Sequence, residues 1–186
     1  EAEIVAQARK IVETDLEVGS RTVLVVAGQG WHRGVIGIVA SKLVDAFHRP
    51  AIVLSIDGEV AHGSCRSIPS FDLLAGLESC AGVLATFGGH KQAAGLTIEA
   101  ARIREFRARI NAHADDALGP DDLRPRLWLD GPLPFRAITP QVASELATLA
   151  PFGAGNPSPL FSASRVEIVD GPRRVKDRHL KMAFKQ

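Results

Sequence analysis

Apolar residues at Ile4, Val5, Ala8, Ile11, Val12 and Leu16 recur at helical spacing over residues 3–18, and Gly19 closes the run. The texture then changes. Residues 22–27 form a continuous apolar strand, and 35–47 place Ile36, Val39, Ala40, Leu43 and Val44 on one helical face. Residues 51–56 predict a second buried strand, 59–66 a third, and 71–80 a helix. Strands over 83–87 and 95–98 follow, with a charged helix over 101–117. Strands alternating with helices predict an α/β layer, a sheet with helices packed on it.

Asp115-Asp116-Ala117-Leu118-Gly119-Pro120-Asp121-Asp122 is acidic and Gly-Pro interrupted, so it reads as a linker. Beyond it come short strands broken by prolines and a helix over 140–150 with Thr139 as its N-cap. A five-stranded barrel does not fit: from Leu123 there is room for about four strands. The pattern divides the chain into a lead-in helix (1–20), an α/β domain (21–118) and a partial β module (119–186).

With 186 residues, 46% of them hydrophobic, the chain can bury one core plus a small second module. No apolar run reaches membrane-spanning length and the first residues form no signal peptide, so a cytoplasmic chain without membrane contact is expected. Cys65 and Cys80 are too few for a disulfide framework or a cysteine zinc site. Tyrosine is absent, which leaves Trp31, Trp128 and a few phenylalanines for base stacking. The net charge of +1 conceals an asymmetry. Residues 1–120 carry 12 basic and 14 acidic side chains, whereas 121–186 carry 10 and 7. Arg173, Arg174, Lys176, Arg178 and Lys181 concentrate the excess at the end of the chain, where a phosphate backbone could be met.

Three segments carry candidate chemistry. Phe87-Gly88-Gly89-His90-Lys91-Gln92-Ala93-Ala94-Gly95 offers two glycines, a histidine and a lysine, then a small-residue Ala-Ala-Gly turn. Glycines admit a ligand close to the backbone, and His90 and Lys91 can hydrogen-bond or neutralise an anion. A turn bearing a surface histidine is the plain alternative. Gly28-Gln29-Gly30-Trp31-His32-Arg33-Gly34 joins a strand to a helix, where amides bind anions. Its spacing is one residue too long for a dinucleotide loop, although Asp57 ends the next strand where a ribose-binding acid would sit. Gly63-Ser64-Cys65-Arg66-Ser67 puts an arginine among hydroxyls, suited to bidentate phosphate contact; a surface pair with Asp72 or Glu78 is the alternative. Cys65 is discounted as a nucleophile because no third group orients a base toward it. The six histidines show no ligand spacing, and no carboxylate cluster suits a two-metal site, so no metal site is expected here.

GGHKQAAG resembles the signature of the DHH-associated domain, the second lobe of the DHH phosphoesterases. Residues 30–40 and Gly63-Ser64-Cys65-Arg66-Ser67 resemble the same lobe in the RecJ family of single-strand-specific exonucleases. Pro151-Phe152-Gly153-Ala154-Gly155-Asn156-Pro157 and His179-Leu180-Lys181 look like the start of that family's oligonucleotide-binding (OB) domain. The resemblance implies a mixed sheet flanked by helices, followed by a partial OB module. It implies single-stranded DNA as partner and a 5′-to-3′ exonuclease acting in repair. No residue here resembles the catalytic DHH lobe, so the resemblance places catalysis, and Mn²⁺ or Mg²⁺, in that absent lobe, which this chain would face as a partner. Arg66, Ser67, Gly88, Gly89, His90 and Lys91 would grip phosphate, with Trp31, His32 and Arg33 lining the same cleft. A DHH-family oligoribonuclease, a cyclic-dinucleotide phosphodiesterase and a free-standing binding module stay open as alternatives.

Overall fold

The computed structural model describes residues 1–176 and 179–186; Arg178, singled out above, lies outside the described residues. The chain divides into two compact units, Glu1–Pro125 and Arg126–Gln186.

The first unit is built on a five-stranded mixed sheet in the order β1-β2-β3-β5-β4. Its strands are β1 (Leu24–Gln29), β2 (Ala51–Asp57), β3 (Val60–Arg66), β4 (Thr86–His90) and β5 (Ala93–Glu99). Only β1 and β2 run parallel, joined through helix α3 (Ile36–Phe47); every other pairing is antiparallel. Alternation along β1 and β2 sends successive side chains to opposite faces. Val23, Val25, Ile52 and Leu54 join a core with helices α4 (Leu73–Ser79) and α5 (Ile103–Ala117). Leu24, Val26, Ala51 and Val53 join a second core with helix α1 (Ala2–Thr14) and α3. Phe71, Phe106 and Ile110 are fully buried in the first core, each contributing about 1.5–3 kcal/mol of hydrophobic burial. A short helix, α2 (Leu16–Gly19), follows α1.

Two sequence expectations are corrected here. Residues 83–87 do not form one strand, because Ala81–Val83 close a 3₁₀ turn and the strand starts at Thr86. Gly88, Gly89 and His90 are not a loop, and Ala93-Ala94-Gly95 is not a turn. They are paired strands, and the turn is only Lys91-Gln92 between His90 and Ala93. Gly89 adopts φ +149°, and a Cβ there would sit 2.5 Å from the Ala93 carbonyl oxygen, so only glycine fits that pairing. The turn is fastened to the chain before α4: Ser67 N–H donates to Gln92 O and Leu73 N–H to Lys91 O, both at 3.0 Å.

Among its described residues the second unit has four strands. β6 (Gly131–Pro132) and β7 (Phe161–Ser162) pair in parallel, while β8 (Glu167–Val175) and β9 (His179–Lys185) form a hairpin. Helix α6 (Pro140–Ala147) starts on Thr139, whose hydroxyl accepts from Val142 N–H at 3.2 Å, as the sequence predicts.

Candidate nucleic-acid interface

Arg66, Ala93 and His90 are directly paired across β3, β5 and β4. Directly paired residues point to the same face of a sheet. Arg66 and His90 therefore share a face, two strands and about 10 Å of backbone apart. Ser64, Gly95 and Gly88 make the next row on that face, and His62, Thr97 and Thr86 the row after it. Helices α1 and α3 cover this face over β1 and β2. Over β5 and β4 it is open, with Gly88, His90 and Gly95 exposed.

Arg66 is held at the border between the covered and open halves. Its Nη1 donates to Cys65 O at 2.8 Å and to Ser64 Oγ at 3.3 Å. A Cβ on Gly37 would lie 3.2 Å from Arg66 Nη2, so the guanidinium rests against the first turn of α3. That helix begins without a side-chain cap. A cation beside the positive end of an uncapped helix is electrostatically unfavourable alone and becomes favourable once an anion sits between them. Among the described residues no carboxylate pairs with Arg66; Asp72 instead caps α4, accepting from Ala75 N–H at 3.2 Å.

The other predicted residues are distributed as follows. Arg33 is exposed and reaches the rim of this open face, a shelf formed by β3, β5 and β4, beside His62 and Gly88. Gly89 pairs with Ala94 on the core-facing side, and Lys91 is exposed at the hairpin tip. Ser67 donates its hydroxyl to Phe71 O at 2.9 Å. His32 Nδ1 accepts from Gly34 N–H at 3.0 Å, which shapes its own loop. Trp31 is buried in the α1/α3 core and donates Nε1–H to Gln7 Oε1 at 2.9 Å, so its ring is a structural lid over Gly28. Cys65 points to the opposite core, where burial pushes its thiol up to about 12 despite the nearby Arg66 charge, leaving it protonated and inert. His62, Thr97 and Thr86 share the shelf, a placement that their residue types alone do not give. The period-two run His62, Ser64, Arg66 along a strand was the available signal.

In the second unit, Arg173 pairs with Lys181 while Arg174 pairs with Leu180, so the hairpin puts the two arginines on opposite faces. Arg173 Nη2 also meets Asp170 Oδ1 at 2.7 Å in an exposed ion pair. Lys176 follows β8 at φ 50°. Leu180 and Phe184 are exposed on the Arg174 face.

The DHHA1 domain family model matches residues 20–116, and the RecJ OB domain model matches residues 129–186. The chain belongs to the DHHA1 domain family. The DHHA1 match spans β1 to α5 and includes every row of the shelf. The chain is 41% identical over 169 residues to the single-stranded-DNA-specific exonuclease RecJ of Bacillus subtilis, covering 89% of this chain and 21% of that protein. RecJ of Thermus thermophilus is 41% identical over 130 residues, 70% of this chain and 18% of that protein. A crystal structure of Thermus thermophilus RecJ with Mn²⁺ superposes with a TM-score of 0.79 at 32% identity, over 96% of this chain and 26% of that one. The chain thus spans about a fifth of the curated relative's length. A second structure of that protein holds Mg²⁺. The residues here do not fit such a metal: among the described residues no three His, Cys, Asp or Glu side chains cluster to hold one. No described helix is long and apolar enough to cross a membrane.

Proposed function

We propose that this chain is the substrate-gripping side of a RecJ-like exonuclease that degrades single-stranded DNA from its 5′ end in repair and recombination. The observation that carries this reading is the row Arg66–Ala93–His90 on an open sheet face, with the Arg66 guanidinium against the uncapped start of α3. That arrangement suits a phosphate, which the guanidinium and helix amides would hold by charge-assisted hydrogen bonds. Residues 1–20 serve as a connector, 21–118 as the phosphate-gripping lobe and 119–186 as the OB module that holds the trailing strand. The Arg173–Lys181 face of the β8–β9 hairpin supplies the second module's backbone contacts. Mn²⁺ or Mg²⁺ and the attacking water belong to a catalytic lobe in the cytoplasmic full-length enzyme, and the shelf presents the strand's end to it.

Incubation of the purified chain with labelled single-stranded and duplex DNA, with and without Mn²⁺, tests this. Tighter binding of the single strand and no release of mononucleotides are expected. Metal-dependent release of mononucleotides, or a preference for duplex, would contradict the assignment.

A further inference from the structure

Arg33, His62, Ser64 and Thr97 line a cavity of about 360 Å³ on the open half of the sheet, with Gly88 and Gly95 as its floor. His62, Thr97 and Thr86 stand in one row, and His62 Nδ1 lies 3.4 Å from Thr97 Oγ1. His62 and Arg66 lie four positions apart on β3, a distance of ~13 Å by strand rise. A single nucleotide with one hydrogen-bond partner at its phosphate and another at its base edge spans such an interval.

The floor between the two polar ends has no explanation in the fold. A Cβ on Gly88 would meet nothing within 4 Å, and one on Gly95 would make only ordinary contact, 3.6 Å from Gly63 O. Gly63 differs: its Cβ would strike Leu54 and Leu96 at 2.7 and 2.8 Å. A glycine inside a strand costs about 0.5–1 kcal/mol relative to alanine. Two of them paired on an exposed face, where packing demands neither, mark a surface kept clear for close approach of a ligand.

We propose that this cavity is a nucleoside subsite. The sugar and base lie flat over Gly88 and Gly95, and Arg33, His62 and Thr97 hydrogen-bond to their polar edges while the phosphate sits at Arg66. A threonine hydroxyl both donates and accepts, so the site accommodates bases of either hydrogen-bonding pattern. The inference rests on the reading of the Arg66 end as a phosphate grip, and the test separates the two.

Calorimetric titration of the 186-residue chain with inorganic phosphate and with thymidine 5′-monophosphate decides it. The nucleotide binds about 10-fold or more tightly than phosphate, equivalent to about 1.4 kcal/mol. Gly95→Val raises the floor and Thr97→Val removes a hydroxyl at constant shape; each erases most of that advantage while phosphate binds as in the wild type. Thr97→Val decides the matter alone if Gly95→Val does not melt like the wild type. Equal affinity for nucleotide and phosphate, or an advantage undiminished in the variants, overturns the subsite and leaves the phosphate grip standing. Absence of binding by both ligands overturns the phosphate grip and the subsite with it.

Discussion

Arg66 spends its hydrogen bonds on immediate neighbours, Ser64 and Cys65, and lies at the border of an open face. Arg66→Ala therefore leaves the melting temperature nearly unchanged, because its guanidinium only rests against α3 and makes no hydrogen bond or ion pair to a distant element among the described residues. Cys65, one residue away, shows the opposite balance. Its folded-state value is raised from 9.0 to about 12, so the neutral thiol is favoured by the fold. The stabilisation from burying it is fully present below pH 9.0 and is lost as pH rises toward 12, at about 1.4 kcal/mol per unit. A maleimide reagent at pH 8 leaves Cys65 unlabelled in the folded chain and labels it after urea unfolding; labelling of the folded chain would contradict the buried position. The arginine and the GGH triplet were legible from residue type and spacing. Trp31 was not: an indole beside glycines reads as a stacking platform until Gln7, 24 residues earlier, is seen to take its N–H.

At the scale of elements, the two edges of the five-stranded sheet are treated differently. Helix α5 lies along β1 and satisfies its outer backbone from one helical stripe. Arg107 Nη2 donates to Val25 O at 3.1 Å. Asn111 accepts from Val23 N–H at 2.8 Å and donates to Val23 O at 3.1 Å, and Thr22 donates its hydroxyl to Asp115. Asn111 thus replaces a neighbouring strand for one residue, and it is buried at 2% exposure. Asn111→Leu strands a buried N–H and C=O, which lowers the unfolding free energy by about 2–4 kcal/mol, read from the shift in urea midpoint. A change under 0.5 kcal/mol would show that water replaces those bonds. Most elements were visible in the periodicity, since Leu24–Val26 and Ala51–Leu54 are apolar throughout and α3 keeps one apolar face. The second half of the edge strand β4 escaped it because Gly88-Gly89-His90 carries turn residues with no apolar alternation. Pairing with β5 overrides that local preference, and pairing cannot be seen in a single segment.

At the scale of the molecule, the proposed phosphate contacts differ in kind between the two units: Arg66 on an open sheet face in the first and a charged hairpin face in the second. The charge excess after residue 121 was countable in the sequence, but its division between two hairpin faces depends on register. Arg173→Glu with Lys181→Glu weakens single-strand binding strongly and flattens its salt dependence, each lost phosphate contact reducing the log–log slope by about 0.7. Arg174→Glu, on the face with Leu180, weakens it less. Equal effects from both changes would argue that the hairpin contacts DNA without a preferred face. The measurement that bears most directly on the central claim compares a 5′-phosphorylated oligonucleotide with its 5′-hydroxyl counterpart, by anisotropy, for wild type and Arg66→Ala. The shelf predicts a preference of about 10-fold or more for the phosphorylated strand in the wild type, and its loss in Arg66→Ala while the hydroxyl strand binds as before. No preference in the wild type, or one that survives Arg66→Ala intact, would contradict the phosphate grip.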